Sequence, residues 1–87
     1  MYVILVYDVQ KKRCGKVMRA AEKYLFHVQE SVFEGPLTKN RYDRLKNELQ
    51  NLVDPELDSV ILYIQSSCGE LLKEQIGKRQ FGNTLFL

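Results

Sequence analysis

The first seven residues of this 87-residue chain form an unbroken apolar run, Met1-Tyr2-Val3-Ile4-Leu5-Val6-Tyr7. Such a run, rich in β-branched and aromatic side chains, predicts a strand buried inside a sheet. The strand ends on a carboxylate, Asp8, and the basic run Lys11-Lys12-Arg13 follows closely. A metal-binding acid next to phosphate-binding cations suits the handling of phosphodiesters. The opening therefore predicts a protein that acts on nucleic acid.

Length and composition predict a single domain over residues 1–87. A domain of this size buries only somewhat more than about 60% of its unfolded surface, so dimerisation would stabilise it. The sequence contains no apolar run long enough to cross a bilayer and no recognisable signal peptide, which predicts a soluble protein. Cys14 and Cys68 lie far apart, without a CxxC pair or a nearby histidine. We therefore expect reduced thiols and a cytoplasmic location.

Positive charge is concentrated in the first half of the chain. Residues 1–46 carry ten Lys or Arg against five Asp or Glu, whereas residues 47–87 carry three against six. A helix predicted after Asp8 places four cations at helical spacing, namely Lys12, Lys16, Arg19 and Lys23. This basic stripe suits a polyanionic partner, while an ordinary solvated helix face explains the same pattern.

The rest of the chain alternates between helical and strand patterns. The predicted elements are a strand from His27 to Gly35, a helix capped by Thr38 and ended by Asp54-Pro55, a central strand from Ser59 to Gln65, a short helix from Glu70 to Ile76, and two short strands, Arg79 to Phe81 and Thr84 to Leu87. This order predicts an α+β domain with an antiparallel sheet, the ferredoxin-like fold.

The end of the chain is unusually apolar. Leu85, Phe86 and Leu87 occupy positions where a frayed end would be polar. We expect this last strand to dock on the sheet edge of a partner subunit, where strand addition would cover both edges.

Several of these segments together resemble one known family. Val6-Tyr7-Asp8-Val9, the basic residues Arg13 and Lys16, and above all the strand from Val28 to Gly35, with its Gln-x-Ser-Val-Phe-Glu-Gly pattern, carry the resemblance. They are similar to the CRISPR-associated protein 2 family, a small ferredoxin-like subunit of spacer acquisition that is also described as an endoribonuclease. The likeness in length and element order spans nearly the whole chain.

The resemblance implies a homodimer in which the two Asp8 carboxylates hold one divalent cation, Mg²⁺ or another. Asp8 would then be both the catalytic and the metal-binding residue, although capping of the next helix is the alternative role for such an acid. The implied partners are the CRISPR integrase subunit, duplex DNA and single-stranded RNA. Arg13, Lys16 and Arg19 are candidate phosphate contacts because they lie at the start of the first helix, where the dipole also favours anions. The expected interface residues are the aromatic Phe33 and, in the last strand, Leu85 and Phe86.

Two departures from the family pattern predict weak or conditional nuclease activity. Gln10, Lys11 and Lys12 stand where many members carry a second acid, and Ile61-Leu62-Tyr63 lacks the usual basic residue. His27 has no partner identifiable by spacing, so we expect it to be structural. The favoured function is spacer acquisition, with endonuclease activity as an addition. The alternatives are a ferredoxin-like ribonuclease toxin of a toxin-antitoxin pair and a ligand-sensing dimer.

Overall fold

The computed structural model describes residues 1–78 and the backbone of residues 84–86. The elements are β1 (Tyr2–Asp8), α1 (Lys11–Glu22), β2 (Phe26–Gln29), β3 (Val32–Pro36), α2 (Lys39–Leu52), β4 (Ser59–Gln65), β5 (Leu71–Gly77) and β6 (Thr84–Phe86). The strand predicted from Arg79 to Phe81 lies outside the described residues. Neither helix in the described part of the chain is long and apolar enough to span a membrane.

The strands form one sheet in the order β2-β3-β1-β4-β5-β6, and neighbouring strands are antiparallel. The first four of these strands, together with α1 and α2, follow the β-α-β-β-α-β order of the ferredoxin-like fold. The α+β prediction is therefore confirmed. Strands β5 and β6 extend the sheet beyond β4.

Both helices pack on the same face of the sheet. Along β1, Val3, Leu5 and Tyr7 are buried and alternate with residues that face the other way. The helices bury Val17, Ala20 and Ala21 of α1 and Tyr42, Leu45 and Leu49 of α2 in the same core. No helix of the described residues covers the opposite face of the sheet, which is the face to which Asp8 belongs.

The start of α2 confirms a prediction made from sequence. The hydroxyl of Thr38 accepts a hydrogen bond from the backbone N–H of Arg41 at 3.2 Å. This bond satisfies one of the backbone donors that have no partner in the first turn of a helix.

The short helix predicted from Glu70 to Ile76 is wrong. Residues 71–77 form β5, which pairs along its whole length with β4. Leu, Lys, Glu and Gln favour helices, but the unpaired edge of β4 offers backbone hydrogen bonds that outweigh this preference. Glu74 then lies on the helix side of the sheet, where it accepts hydrogen bonds from Tyr42 and Lys46.

The single strand predicted from His27 to Gly35 is also wrong, because the chain forms a hairpin there. Strands β2 and β3 are joined at Glu30 and Ser31, and the pairing register shifts between His27 and Gln29. The hydroxyl of Tyr7 donates to the carbonyl of Glu30 at 3.3 Å, which ties the turn to β1. The turn contains neither Gly nor Pro, so the usual sequence signal was missing.

Strand β6 pairs with β5 of the same chain, with Leu72 opposite Leu85 and Leu71 opposite Phe86. The predicted terminal strand is therefore present, and in this structure it extends its own sheet. Its docking on a partner subunit stays a prediction.

Candidate metal and nucleic-acid sites

Asp8 is the last residue of β1 and is exposed. Its neighbour Tyr7 points to the helix side and is 6% exposed, so Asp8 projects from the open side of the sheet. Its backbone lies opposite Ser59 of β4. Within the described residues, no side chain forms a hydrogen bond or ion pair with the Asp8 carboxylate, so its oxygens can bind a ligand.

The helix-capping role considered for Asp8 is wrong. The N-cap of α1 is Gln10, and no side chain forms the usual capping hydrogen bond to this end of the helix. Instead, the N–H of Gln10 donates to a carboxylate oxygen of Asp58 at 2.9 Å. Asp8 therefore does not cap the start of α1.

The open face of the sheet next to Asp8 carries an apolar patch. Alternation along the strands and their register place six apolar or aromatic side chains on this face: Tyr2, Ile4 and Val6 of β1, Val32 of β3, and Ile61 and Tyr63 of β4. Apart from the exposed Tyr2, these side chains are half-buried. The same register places Glu34, Gln65, Lys73 and Gln75 on this face. An apolar patch bordered by polar side chains in this way is typical of a protein interface.

A buried carboxylate that the sequence analysis missed organises the turn after Asp8. Asp58 is fully buried, and its carboxylate accepts the N–H of Gln10 and, at 2.8 Å, the N–H of Asp54. The guanidinium of Arg13 forms a two-pronged ion pair with the same carboxylate. The only available signal was an acid directly before an apolar strand, which by itself does not identify a buried ion pair.

These partners hold Asp58 in its charged form. The hydrogen bond from Arg13 lowers the pKa of Asp58 to about 2, and the N–H groups of Asp54 and Gln10 act in the same direction. Burial opposes this change, because the charged form is less well solvated, but its effect is smaller.

We expect stability to fall in acid because Asp58 must then be protonated. Its folded pKa of about 2 lies below the ordinary 3.8, so its stabilising contribution is present above pH 4 and is lost as the pH falls towards 2. The contribution is about 2 kcal/mol. Urea unfolding between pH 6 and pH 2.5 measures it. Asp58→Asn should flatten this part of the profile, whereas Asp43→Asn, at an exposed acid, should not. Equal slopes in wild type and Asp58→Asn would contradict the assignment.

The structure gives Arg13 a different role from the predicted phosphate contact. Its side chain is 15% exposed, and its guanidinium faces inward to Asp58. The Nε and Nη2 donors of Arg13, which could bind a phosphate, are thus already bonded to the Asp58 carboxylate. Arg13 is therefore a structural cation.

Lys16 and Arg19 are exposed cations of α1. In the described part of the chain, neither forms an ion pair. They line a cleft of about 350 Å³ between α1 and α2, whose other lining residues are Ala20, Lys23, Glu48 and Leu52. Lys23 is paired with Glu48 at 2.5 Å, so its charge is largely neutralised. Lys16 and Arg19 are therefore the two cations of this cleft that are available to a phosphate.

The predicted interface residues have different outcomes. Phe33 is fully buried, and its ring stacks on those of Tyr7 and His27 at centroid distances of 6.3 and 4.6 Å. Because a fully buried side chain offers no surface to a second chain, the interface prediction for Phe33 is wrong. His27 is exposed, and its ring stacks on that of Phe33; its structural role stays a prediction. For Leu85 and Phe86 only the backbone is described, and their interface role stays a prediction.

Within residues 1–78, no three His, Cys, Asp or Glu side chains lie close enough together to hold a metal ion. Asp8 thus contributes one carboxylate, and a metal site at this position requires ligands from outside the described part of the chain.

Comparison with known proteins identifies the family. Residues 1–70 match the family described as CRISPR associated protein Cas2. The chain is 49% identical over 67 residues to the Thermotoga maritima protein named CRISPR-associated endoribonuclease Cas2, covering 77% of each chain. A Dictyoglomus turgidum protein of the same name is 48% identical over 64 residues, covering 74% of each.

Solved structures agree with these matches. A crystal structure of Cas2 superposes with a TM-score of 0.70 at 46% identity and covers 72% of this chain and 71% of that one. The Streptococcus pyogenes Cas2 structure gives a TM-score of 0.70 at 30% identity and covers 76% of this chain and 87% of that one. The resemblance inferred from sequence is confirmed: this chain belongs to the CRISPR-associated Cas2 family.

Proposed function

We propose that this chain is a CRISPR adaptation protein of the cytoplasm that acts as a homodimer and binds duplex DNA together with the integrase subunit. We further propose a magnesium-dependent endonuclease activity on single-stranded RNA or DNA at the paired Asp8 carboxylates. The relatives named as endoribonucleases support the second part. The observation that carries the proposal is the exposed Asp8 carboxylate beside an apolar patch that no described element covers.

The homodimer forms through the open face of the sheet. Packing two such faces about a two-fold axis would bury Ile4, Val6 and Ile61 and their symmetry mates, and an isologous interface doubles each residue near its axis. Asp8 lies at the end of the same face. In the proposed dimer the two-fold axis passes close to the ends of the two β1 strands, so that the two carboxylates come together there. A small domain gains stability from the apolar surface that is covered in this way.

Asp8 fits a hard divalent cation. Its oxygens are exposed, and no cation of the described chain competes for them. Magnesium in proteins accepts one or two carboxylates and retains several waters or phosphate oxygens, which matches one Asp8 from each subunit. When bound, the ion would neutralise charge on a phosphodiester and lower the pKa of a water molecule.

The chain's own residues explain why hydrolysis is expected to be weak. Asp8 would orient the substrate phosphate through the shared ion, but His27, the only histidine of the chain, is stacked on Phe33 at the helix side of the sheet. A histidine on that side is not available as a general base at Asp8. Binding and positioning of nucleic acid therefore dominate the proposed function.

Lys16 and Arg19 supply the proposed duplex contact. We expect the charge reversals Lys16→Glu and Arg19→Glu each to weaken duplex binding about tenfold at low salt, for unrelated sequences alike. Each should also flatten the logarithmic salt dependence by about one unit, the effect of losing one phosphate contact. A fluorescence anisotropy titration at several salt concentrations measures both quantities.

The matched control for these variants is Lys39→Glu. Lys39 is an exposed helix lysine at the start of α2 whose charge is already paired with Asp43 at 2.9 Å. This reversal should change duplex binding much less. If Lys16→Glu and Arg19→Glu bind as tightly as wild type, the basic stripe is only a solvated helix face.

Spacer acquisition in cells tests the adaptation role. In cells that carry a repeat array and the cognate integrase, we expect deletion of this protein to abolish acquisition. We expect the double variant Lys16→Glu/Arg19→Glu to reduce it strongly, with Lys39→Glu near wild type. Counting new spacers by amplification and sequencing of the array gives the result. Acquisition that continues without the protein would refute the adaptation role, and growth arrest on its expression alone would favour the toxin.

A further inference from the structure

The buried Asp58 contacts the turn that leads away from Asp8. Its carboxylate accepts the N–H of Gln10, two residues beyond Asp8, at 2.9 Å. The ion pair with Arg13 holds the first turn of α1 against the same carboxylate. One side chain from another part of the sequence therefore helps to fix the direction in which the chain leaves β1.

The backbone of Asp58 is fixed as well. Its carbonyl accepts the N–H of Lys78 at 2.9 Å, and Gly77 packs directly against that carbonyl. The next residue, Ser59, lies opposite Asp8 in the pairing of β1 with β4. Asp58 is thus held between the end of β5 and the start of α1, beside the backbone of the proposed metal ligand.

We infer that Asp58 is a positioning residue for Asp8, acting through the N–H of Gln10 and the ion pair with Arg13. The inference rests on the proposed metal site at the Asp8 pair and adds a residue to it. Asp58 is fully buried and does not contact substrate or metal. Together with the pairing of Asp8 with Ser59, it sets the direction of the β1 end, and so the direction in which the Asp8 carboxylate points.

The chemistry of the dimer makes this orientation important. Each subunit offers a single carboxylate, so a rotation of the β1 end would move both ligands of the shared ion. Groups that hydrogen-bond a metal ligand directly contribute a factor of about 10 to 100 in metal affinity. A residue that acts through the backbone, as Asp58 does, should contribute at the lower end of this range. A residue with only a stabilising role would have no such effect on a folded dimer.

Binding of Mn²⁺, a spectroscopic probe for the Mg²⁺ site, tests the inference in the full-length dimer. The variant is Asp58→Asn, which keeps the shape and one acceptor oxygen but loses the charge that pairs with Arg13. We expect electron paramagnetic resonance titration to show Mn²⁺ affinity reduced by about tenfold. Arg13→Gln, which leaves Asp58 its two backbone donors, is the second variant should Asp58→Asn fail to fold, and it should weaken binding in the same direction.

The matched control is Lys46→Met, which breaks the ion pair between Lys46 and Glu74, at 2.6 Å. This pair is also partly buried, but it lies near Met1, at the opposite end of β1 from Asp8. Lys46→Met should bind Mn²⁺ as tightly as wild type. Unchanged affinity in Asp58→Asn, or an equal loss in Lys46→Met, would overturn the inference.

The ¹³C resonance of the Asp8 carboxylate separates the inference from the metal proposal. If the wild-type dimer binds no Mn²⁺, the proposed metal site is refuted. The orientation of Asp8 can still be measured without metal. A shift of this resonance in Asp58→Asn, with none in Lys46→Met, supports the positioning role. A resonance that stays in place in Asp58→Asn refutes it.

Discussion

Gly77→Ala should lower the free energy of unfolding by at least about 3 kcal/mol. Gly77 ends β5 with φ at +95°, a backbone conformation that side chains strongly disfavour. A Cβ built at this position lies 2.0 Å from the carbonyl oxygen of Asp58. Because that oxygen belongs to the backbone, the clash cannot be relieved by a side-chain rotation. The strand end must move, and the hydrogen bond from Lys78 to Asp58 is lost with it.

Gly69→Ala is the matched control for this substitution. Gly69 has a similar φ of +92°, but a Cβ there meets no atom within 4 Å. Gly69→Ala should therefore lower the free energy of unfolding only by the cost of placing alanine at a positive φ, about 1 kcal/mol. Urea unfolding followed by circular dichroism measures both variants. Equal losses would show that the close approach of Gly77 to Asp58 adds nothing.

Asp8→Asn should reduce magnesium-dependent cleavage of single-stranded RNA by about a thousandfold. The substitution removes the charge of both proposed ligands of the shared ion while preserving the size of the side chain. Stability should change by less than about 0.5 kcal/mol, because Asp8 is exposed and has no partner in the described chain. The combination of lost cleavage and unchanged folding is what distinguishes a ligand from a structural acid.

Cleavage of a fluorescently labelled RNA, measured with magnesium and with excess chelator, provides the test. Asp43→Asn, which changes an exposed acid of α2, is the control and should cleave at the wild-type rate. Cleavage that persists in Asp8→Asn would place the activity elsewhere or in a contaminant. A variant that loses both cleavage and the dimer would make Asp8 an interface residue instead.

The parts of the fold that the sequence predicted well are those in which local pattern and packing agree. Strand β4 has the predicted bounds, from Ser59 to Gln65, because an apolar run between polar turns has few alternatives. β5 was missed because its residues favour a helix, and only its pairing with β4 and the contacts of Glu74 with α2 make it a strand. Such contacts join residues far apart in sequence and leave no local pattern.

The candidate site was predictable to the same limited extent. Asp8 stood out because it interrupts an apolar strand at its end, and the structure leaves it exposed. Arg13 and Lys16 carry the same charge and lie one turn apart. Arg13 is paired with Asp58, whereas Lys16 remains available to bind a phosphate. The difference depends on a residue 45 positions away from Arg13, which the spacing of the helix cannot show.

The contacts of Asp58 join residues that are far apart in the sequence, and this has a consequence for folding during synthesis on the ribosome. The partners of Asp58 include Gln10 near the start of the chain and Lys78, which is translated much later. Strand β1 and the first helix can leave the exit tunnel early, but Asp58, which contacts their junction, has its carbonyl held only after Lys78 has emerged. A nascent chain would thus present a properly directed Asp8 only after nearly all of the described domain has been translated.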